Sequence, residues 1–195
     1  LGRVIDRVKA ANQVTKLIVA TSIDKEDDDI ENFCESEKIN CLRGDLKNVY
    51  KRFKKIVLEQ KVDSFIRING DSPLIDPELI DLAVKLYKEE TCDLLTNIFP
   101  RTFPKGQSVE VISSKPFIKF EEFKMTEEQK EHVTKYFYDN AKNFTLKNFK
   151  STTNFSDLNF CIDTQNDLKK IETIFLKEDF DQKNWSHFYK NTYEN

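Results

Sequence analysis

Histidine occurs twice in the 195 residues, methionine and tryptophan once each, and the four cysteines at 34, 41, 92 and 161 form no CxxC pair. That pattern excludes a zinc cluster, which needs closely spaced sulfur and imidazole donors. The cysteines instead read as small buried hydrophobes of a reducing cytoplasm. Glycine, at 4, and proline, at 5, are scarce beside abundant Lys, Asn, Phe and Ile. We attribute this to compositional bias, and it carries no function. No run of about 18 apolar residues could span a bilayer, and no basic-then-apolar leader marks secretion. A cytoplasmic chain without a membrane partner is therefore expected. Charge of one sign is also lacking: 31 basic against 34 acidic residues leave a net −3, interleaved along the chain, so no nucleic-acid footprint exists.

What is present is the length for one domain with a real core, about 70% of the unfolded surface being buried at this size. The sequence opens at Leu1-Gly2-Arg3-Val4-Ile5-Asp6-Arg7-Val8 in helical apolar rhythm, with no capping residue ahead of it. We expect a single domain over 1–195 that lacks an N-terminal segment. A helix to about Ala11 precedes the strand Lys16 to Thr21, and a helix from Asp28 to Glu37 precedes the strand Ile39 to Leu42. A helix over Asn48 to Lys61 then leads into the strand Ser64 to Asn69. Strands separated by helices specify βαβ units with right-handed crossovers, so the first half is doubly wound α/β. After the helix from Pro77 the pattern loosens. Strands are predicted at Cys92 to Thr96, Ser108 to Ser113, Phe144 to Phe149 and Leu158 to Ile162, with a helix over Thr126 to Ala141 and another after Asp163-Thr164. No internal repeat or low-complexity linker divides the chain.

The sharpest motif is Asn69-Gly70-Asp71-Ser72-Pro73-Leu74-Ile75-Asp76-Pro77. It puts carboxylates where a strand ends and a helix begins, the edge at which open α/β sheets bind ligands. Asp71 there could coordinate a hard cation through oxygen, with Gly70 permitting a sharp turn beside it. The alternative is an ordinary turn at Asp71 and a capping Asp76 followed by Pro77 at the first helical position. Asp163 closes a predicted strand and could face the same edge, or simply cap the next helix. The segment from Arg43 to Arg52 follows a strand and opens a helix, so Arg43, Asp45, Asn48 and Arg52 are candidates for nucleotide contact; a helix cap with a solvated face is the alternative.

The string Arg67-Ile-Asn-Gly-Asp-Ser-Pro-Leu-Ile-Asp-Pro, with Val4-Ile-Asp-Arg-Val, Arg43-Gly-Asp-Leu-Lys-Asn-Val, Phe103-Pro-Lys-Gly-Gln-Ser-Val-Glu-Val, Glu131-His-Val-Thr-Lys-Tyr-Phe and Cys161-Ile-Asp-Thr-Gln-Asn-Asp-Leu, resembles the CMP-sugar cytidylyltransferase family. This is the family of acylneuraminate and 3-deoxy-manno-octulosonate cytidylyltransferases, and the nearest-looking branch is the spore coat polysaccharide biosynthesis protein F type. The resemblance runs from residue 1 to about 175. It implies a Rossmann-like nucleotide-diphospho-sugar transferase fold, glycosyltransferase-A-like, with a mixed and mostly parallel sheet flanked by helices. It further implies transfer of CMP from CTP to an acidic sugar, Mg²⁺ held by Asp71 and Asp163, Asn69 and Gly70 near the nucleotide, and Lys105, Gly106, Glu110 and His132 at the acceptor. A homodimer is implied as well. The family's first strand and phosphate-embracing loop would precede Leu1. Where family members of this branch often read Gly-Leu-Asp-Val-Glu-Val, this chain has Gly106-Gln107-Ser108-Val109-Glu110-Val111, and Lys135 stands where the family has proline after Thr134. Three alternatives remain: an enzyme of the same fold using another nucleotide such as UTP or a finished nucleotide sugar, a non-catalytic nucleotide-sugar-binding remnant, and a generic α/β domain.

Overall fold

The computed structural model describes residues 1–177 and 184–188; the rest of the aromatic tail lies outside the described residues. Helix α1 (Gly2–Lys9) begins the chain and is followed by β1 (Ile18–Ser22), α2 (Asp28–Ser36), β2 (Asn40–Gly44), α3 (Val49–Gln60), β3 (Ser64–Arg67) and α4 (Pro77–Glu89). Then come β4 (Leu94–Thr96), β5 (Glu110–Ser113), α5 (Ser114–Phe117), α6 (Glu127–Glu131), α7 (Lys135–Asp139), β6 (Leu146–Asn148) and α8 (Gln165–Lys177). Local chemistry accounts for the helix starts. Asn48 accepts from the Lys51 amide to cap α3, and Asp76 accepts from the Glu78 amide to cap α4, with Pro77 at its first turn. Thr126 and Gln129 form a reciprocal capping box on α6.

The described strands fall into two separately paired blocks, a two-stranded one and a four-stranded mixed one. β1 pairs with β2 in parallel, and the second block runs β3-β5-β4-β6. There β4 and β6 are parallel, while β5 runs antiparallel to both β3 and β4. Alternation assigns the two faces. Ile66, Leu95 and Val111 point to α1 and α4, packing with Val4, Val8 and Ile80, whereas Phe65, Leu94 and Ile112 point to the aromatic core under α3. That second core stacks Tyr50, Phe117, Phe120 and Phe137, and the Tyr50 hydroxyl donates to the Phe117 and Phe120 carbonyls at 3.1 and 3.2 Å. A third cluster joins Leu74, Phe160, Ile171 and Phe188, tying α8 to the loop before α4.

Among the described residues β1 and β3 each have one edge without a strand partner, and both line a cavity of about 690 Å³. Its walls are apolar side chains of α1 and α4 on one side and of α3 on the other.

Two expected elements differ. The predicted helix over 126–141 is broken after Glu131: His132 takes φ −99° and ψ 89°, which turns the fully buried Val133 into the aromatic core, and α7 then starts at Lys135. Gln129 holds the two pieces together by donating to Asp139 at 2.8 Å. The predicted strand over 158–162 forms only an isolated bridge, Lys105 with Asn159, because its backbone bonds to two turns and not to a neighbouring strand. None of the described helices is long and apolar enough to cross a membrane.

Candidate active site

The loop that follows β3 is fixed from three sides. Gln107, wholly buried, donates through its side-chain nitrogen to the Leu74 carbonyl at 2.7 Å and accepts from the Asp76 amide at 3.0 Å. Asn97, also wholly buried, holds Gln107 in turn by donating to its carbonyl at 2.7 Å. From α1, the buried Arg7 donates to the Ile75 carbonyl at 2.8 Å. Asp76 is occupied as a cap, and its second oxygen accepts from the Trp185 amide at 3.0 Å. Asp71 is left half-buried at the head of the loop, accepting from the Ser72 hydroxyl at 2.8 Å.

The extended segment 158–163 lies beside this loop. The Phe160 amide donates to the Lys105 carbonyl, the Lys105 amide donates to the Leu158 carbonyl, and the Ile162 amide donates to the Asp71 carbonyl, each at 2.9 Å. Asp163 therefore follows, one residue on, from a residue bonded directly to Asp71. Its carboxylate is exposed and is not the cap of α8. Thr164 caps that helix instead, its hydroxyl accepting from the Asp167 amide at 3.2 Å while its own amide donates to the Asp167 carboxylate at 2.8 Å. Among the described residues the Asp163 carboxylate makes no hydrogen bond. Both acids act on Cys161, whose thiol is pushed up to about 11 by burial first, then by Asp71 and, more weakly, Asp163, against the opposing effects of the Ser72 hydroxyl and Arg101. One thiol thus senses Asp71, Asp163 and Arg101 together.

The expectations for the other residues divide. Asn69 is half-buried and Gly70 exposed, both in the same loop. A Cβ on Gly70 would meet nothing within 4 Å, so no sharp turn requires glycine there; its bareness opens the edge. Gly106 is different: at φ +89°, with a Cβ due 2.8 Å from the Phe160 carbonyl carbon, glycine is required there by the backbone packing. Lys105 is exposed and its ammonium is available. Glu110 is only 1% exposed, bonded to Arg67 at 2.9 Å and to the Tyr138 hydroxyl at 2.5 Å. A carboxylate so enclosed cannot touch a sugar, and it orients Arg67 and Tyr138. His132 ends α6 in an exposed position, and none of its contacts among the described residues reaches the Asp71 loop.

In the segment 43–52, Arg43 is consumed in structure. It donates to the Ser22 and Asp24 carbonyls at 2.7 Å each and pairs with Glu31 at 2.6 Å and Asp28 at 2.8 Å, so it is no free cation for a triphosphate. Asn48 has both ends of its amide engaged, on the Lys51 amide and on Glu122, which removes it as a base reader. Asp45 accepts from the Lys47 and Asn48 amides; the Asn48 bond is the main cause holding its carboxyl below the usual range. Arg52 alone keeps capacity. Its Nη1 donates to the Asp45 carbonyl at 3.0 Å, and its buried Nε has no partner.

Sequence reasoning missed Arg101. Its half-buried guanidinium donates to the Ser108 hydroxyl at 3.0 Å and has no carboxylate partner among the described residues, and burial lowers its pKa. A partly desolvated cation without a counter-ion, next to Cys161, is a place for an anionic group of a ligand. The only available signal was a lone arginine in the turn-rich stretch between Pro100 and Gly106.

A family model described as cytidylyltransferase matches residues 1–193. The chain belongs to that family. This cytidylyltransferase-family chain is 30% identical over 165 residues to the spore coat polysaccharide biosynthesis protein SpsF of Bacillus subtilis, covering 83% of this chain and 67% of that one. The matched part spans 57% and 67% of the length of two curated relatives. Two solved structures share the fold. A cytidylyltransferase from Leptospira borgpetersenii superposes with a TM-score of 0.94 at 23% identity, over 100% of this chain and 83% of that one. A CMP:2-keto-3-deoxy-manno-octonic acid synthetase complexed with CTP gives 0.68 at 12% identity, over 90% and 87%. The fold of this cytidylyltransferase-family member is therefore the nucleotide-diphospho-sugar transferase type, a mixed sheet flanked by helices.

Proposed function

We propose that the chain transfers CMP from CTP to an acidic sugar and releases pyrophosphate, in the service of cell-surface polysaccharide synthesis. The observation that carries this reading is the juxtaposition of Asp71 with the 161–163 segment, which leaves an uncapped, unbonded carboxylate at Asp163 beside the loop. Two carboxylates suit Mg²⁺, which keeps waters and takes substrate phosphate oxygens for its remaining positions. Among the described residues no cluster of three or more acidic, Cys or His side chains could hold a metal unaided, so substrate phosphate oxygens would have to complete the shell. When bound, Mg²⁺ would neutralise charge building on the α-phosphoryl group.

The chain's own residues do the rest by positioning. A sugar hydroxyl attacks the α-phosphorus in line and the pyrophosphate oxygen leaves, so alignment and charge placement decide the rate. Gln107, Asn97 and Arg7 hold the Asp71 loop rigid for this purpose. Arg101 and the exposed Lys105 provide positive charge for the acceptor carboxylate, and Arg52 for the nucleotide. Family membership and the CTP-bound neighbour support the choice of nucleotide; the 2-keto sugar acid named for that one neighbour supports the acidic acceptor. We also take the enzyme to be a cytoplasmic homodimer, which light scattering on the purified protein would test.

The deciding experiment is a pyrophosphate-release assay with Mg²⁺, a panel of CTP, UTP, ATP and GTP, and 2-keto sugar acids against neutral sugars. Release with CTP and a sugar acid only is expected. Release with UTP, or with neutral sugars equally well, would overturn the proposal.

A further inference from the structure

We infer that Arg67 is an anion-binding residue of the site, its open Nε–Nη2 edge taking both oxygens of the acceptor's carboxylate, and that Glu110 and Tyr138 are the positioning residues that aim it. The inference rests on the acidic-acceptor reading above. Arg67 is the last residue of β3, four positions before Asp71, and pairs across the sheet with Glu110 at the start of β5. It therefore stands at the edge where open α/β sheets take their ligands. Only its Nη1 is engaged, on the Glu110 carboxylate at 2.9 Å. Nε and Nη2 form no hydrogen bond among the described residues; the fully buried side-chain atoms that lack partners there are Arg52 Nε and Ser114 Oγ, so the two Arg67 nitrogens reach solvent. In a guanidinium those two N–H groups lie parallel on one side, the fork that fits a carboxylate edge bidentately. The side chain is 20% exposed, enough for a ligand to reach the fork.

The enclosed network behind Arg67 fixes its direction. The second oxygen of Glu110 accepts from the Tyr138 hydroxyl. Burial, and then Glu110, push that phenol above its ordinary value, so it stays a donor. With its proton committed to Glu110, it accepts from the Thr96 hydroxyl 3.0 Å away, and Thr96 accepts from the Ile98 amide at 3.2 Å. A buried ion pair of this kind adds little net stability, and apolar residues of the same size often do as well, so what the arrangement provides is the aim of Arg67. Alternation brings a second cation to the same face. Val109 and Val111 both pack toward α1 and α4, so Ser108 lies on the face of Glu110, and its hydroxyl accepts from Arg101 at 3.0 Å. Arg67 and Arg101 thus share one face with Glu110, two guanidiniums to one enclosed carboxylate, and an acceptor carboxylate supplies the missing charge. A phosphate of CTP offers a similar pair of oxygens, but the phosphates already have Mg²⁺ and Arg52 in the reading above.

The test follows the Arg67 Nε–H signal by NMR, assigned by its loss in Arg67→Lys. Three probes are titrated without Mg²⁺: a 2-keto sugar acid and its C1 amide, each with and without CMP, and CTP alone. The acid is expected to move the signal saturably, and the amide and CTP to leave it in place. No movement with the acid would overturn the inference, and movement with CTP alone would give the fork to a phosphate and overturn it equally. Because no turnover is needed, a protein that releases no pyrophosphate while the acid still moves the signal refutes the catalytic reading and leaves this one standing. Kinetics supply the second readout. Arg67→Lys keeps the charge and loses the fork, so kcat/KM for the acid relative to the amide should fall about tenfold or more, through KM for the acid, with KM for CTP unchanged. Glu110→Gln with Tyr138→Phe should shift KM for the acid in the same direction. Arg67→Met with Glu110→Gln removes both charges together and strands neither, so a failure of Arg67→Lys to fold does not block the comparison. Equal losses on acid and amide, or a loss confined to kcat, would contradict the assignment.

Discussion

Gln107 links two parts of the molecule that lie 31 positions apart in the sequence, because its amide bonds the Leu74 carbonyl and the Asp76 amide at once. Replacing it with leucine preserves the bulk and strands both backbone groups, each at a cost of about 1 to 3 kcal/mol. Urea unfolding of Gln107→Leu should show that loss; a change within about 0.5 kcal/mol, the range of neutral surface substitutions, would mean the loop is held otherwise. Asp163 behaves oppositely. Its carboxylate bonds nothing among the described residues, so Asp163→Asn should leave stability within about 0.5 kcal/mol while lowering pyrophosphate release on the order of 10²-fold or more. Cys92 and Cys161 set an alkaline limit. Both thiols are raised to about 11, by burial in the first place, from an unfolded value of 9.0. Groups raised in the folded state contribute stability below the unfolded pKa and lose it as pH climbs through the folded one. Urea midpoints should therefore fall between pH 9 and pH 11, and Cys161→Ala should flatten that fall.

At the scale of elements, caps decide which acidic residues are free for chemistry. Thr164 rather than Asp163 starts α8, so Thr164→Ala should cost about 0.5 to 2 kcal/mol through the lost cap, measurable by thermal unfolding, whereas the same assay should barely register Asp163→Asn. The helices from 28, 48 and 77 and the strands of the first half were legible because their apolar spacing and caps are local signals. The break at His132 was not, since the burial of Val133 that favours it is a tertiary effect. Nor could 158–162 be distinguished from a strand: Phe160 and Ile162 alternate inward as a strand would, and only the partners, two turns, reveal the difference. Site residues show the same division. That the Asp71 loop and the segment ending at Asp163 share one edge was legible from motif and resemblance, but the fates of Arg43, Asn48 and Glu110 depend on Glu31, Glu122 and Arg67, whose proximity no spacing announces. Arg101 was missed because its significance lies in lacking a counter-ion.

For the whole molecule, the loop of Asp71 and the segment leading to Asp163, from opposite halves of the sequence, lie side by side because the 158–163 segment is sewn across the 105 turn and the 71 loop. Gly70, in the loop that carries Asp71, also lines the cavity between β1 and β3. The most direct test of the account is a calorimetric titration of CTP, with and without Mg²⁺, into the protein and its Asp71→Asn, Asp163→Asn and doubly substituted forms. If both carboxylates hold one cation against the nucleotide, each single substitution removes the Mg²⁺-dependent part of the affinity and the double form loses nothing more. Undiminished Mg²⁺ dependence in either single form, or losses that simply add, would contradict it.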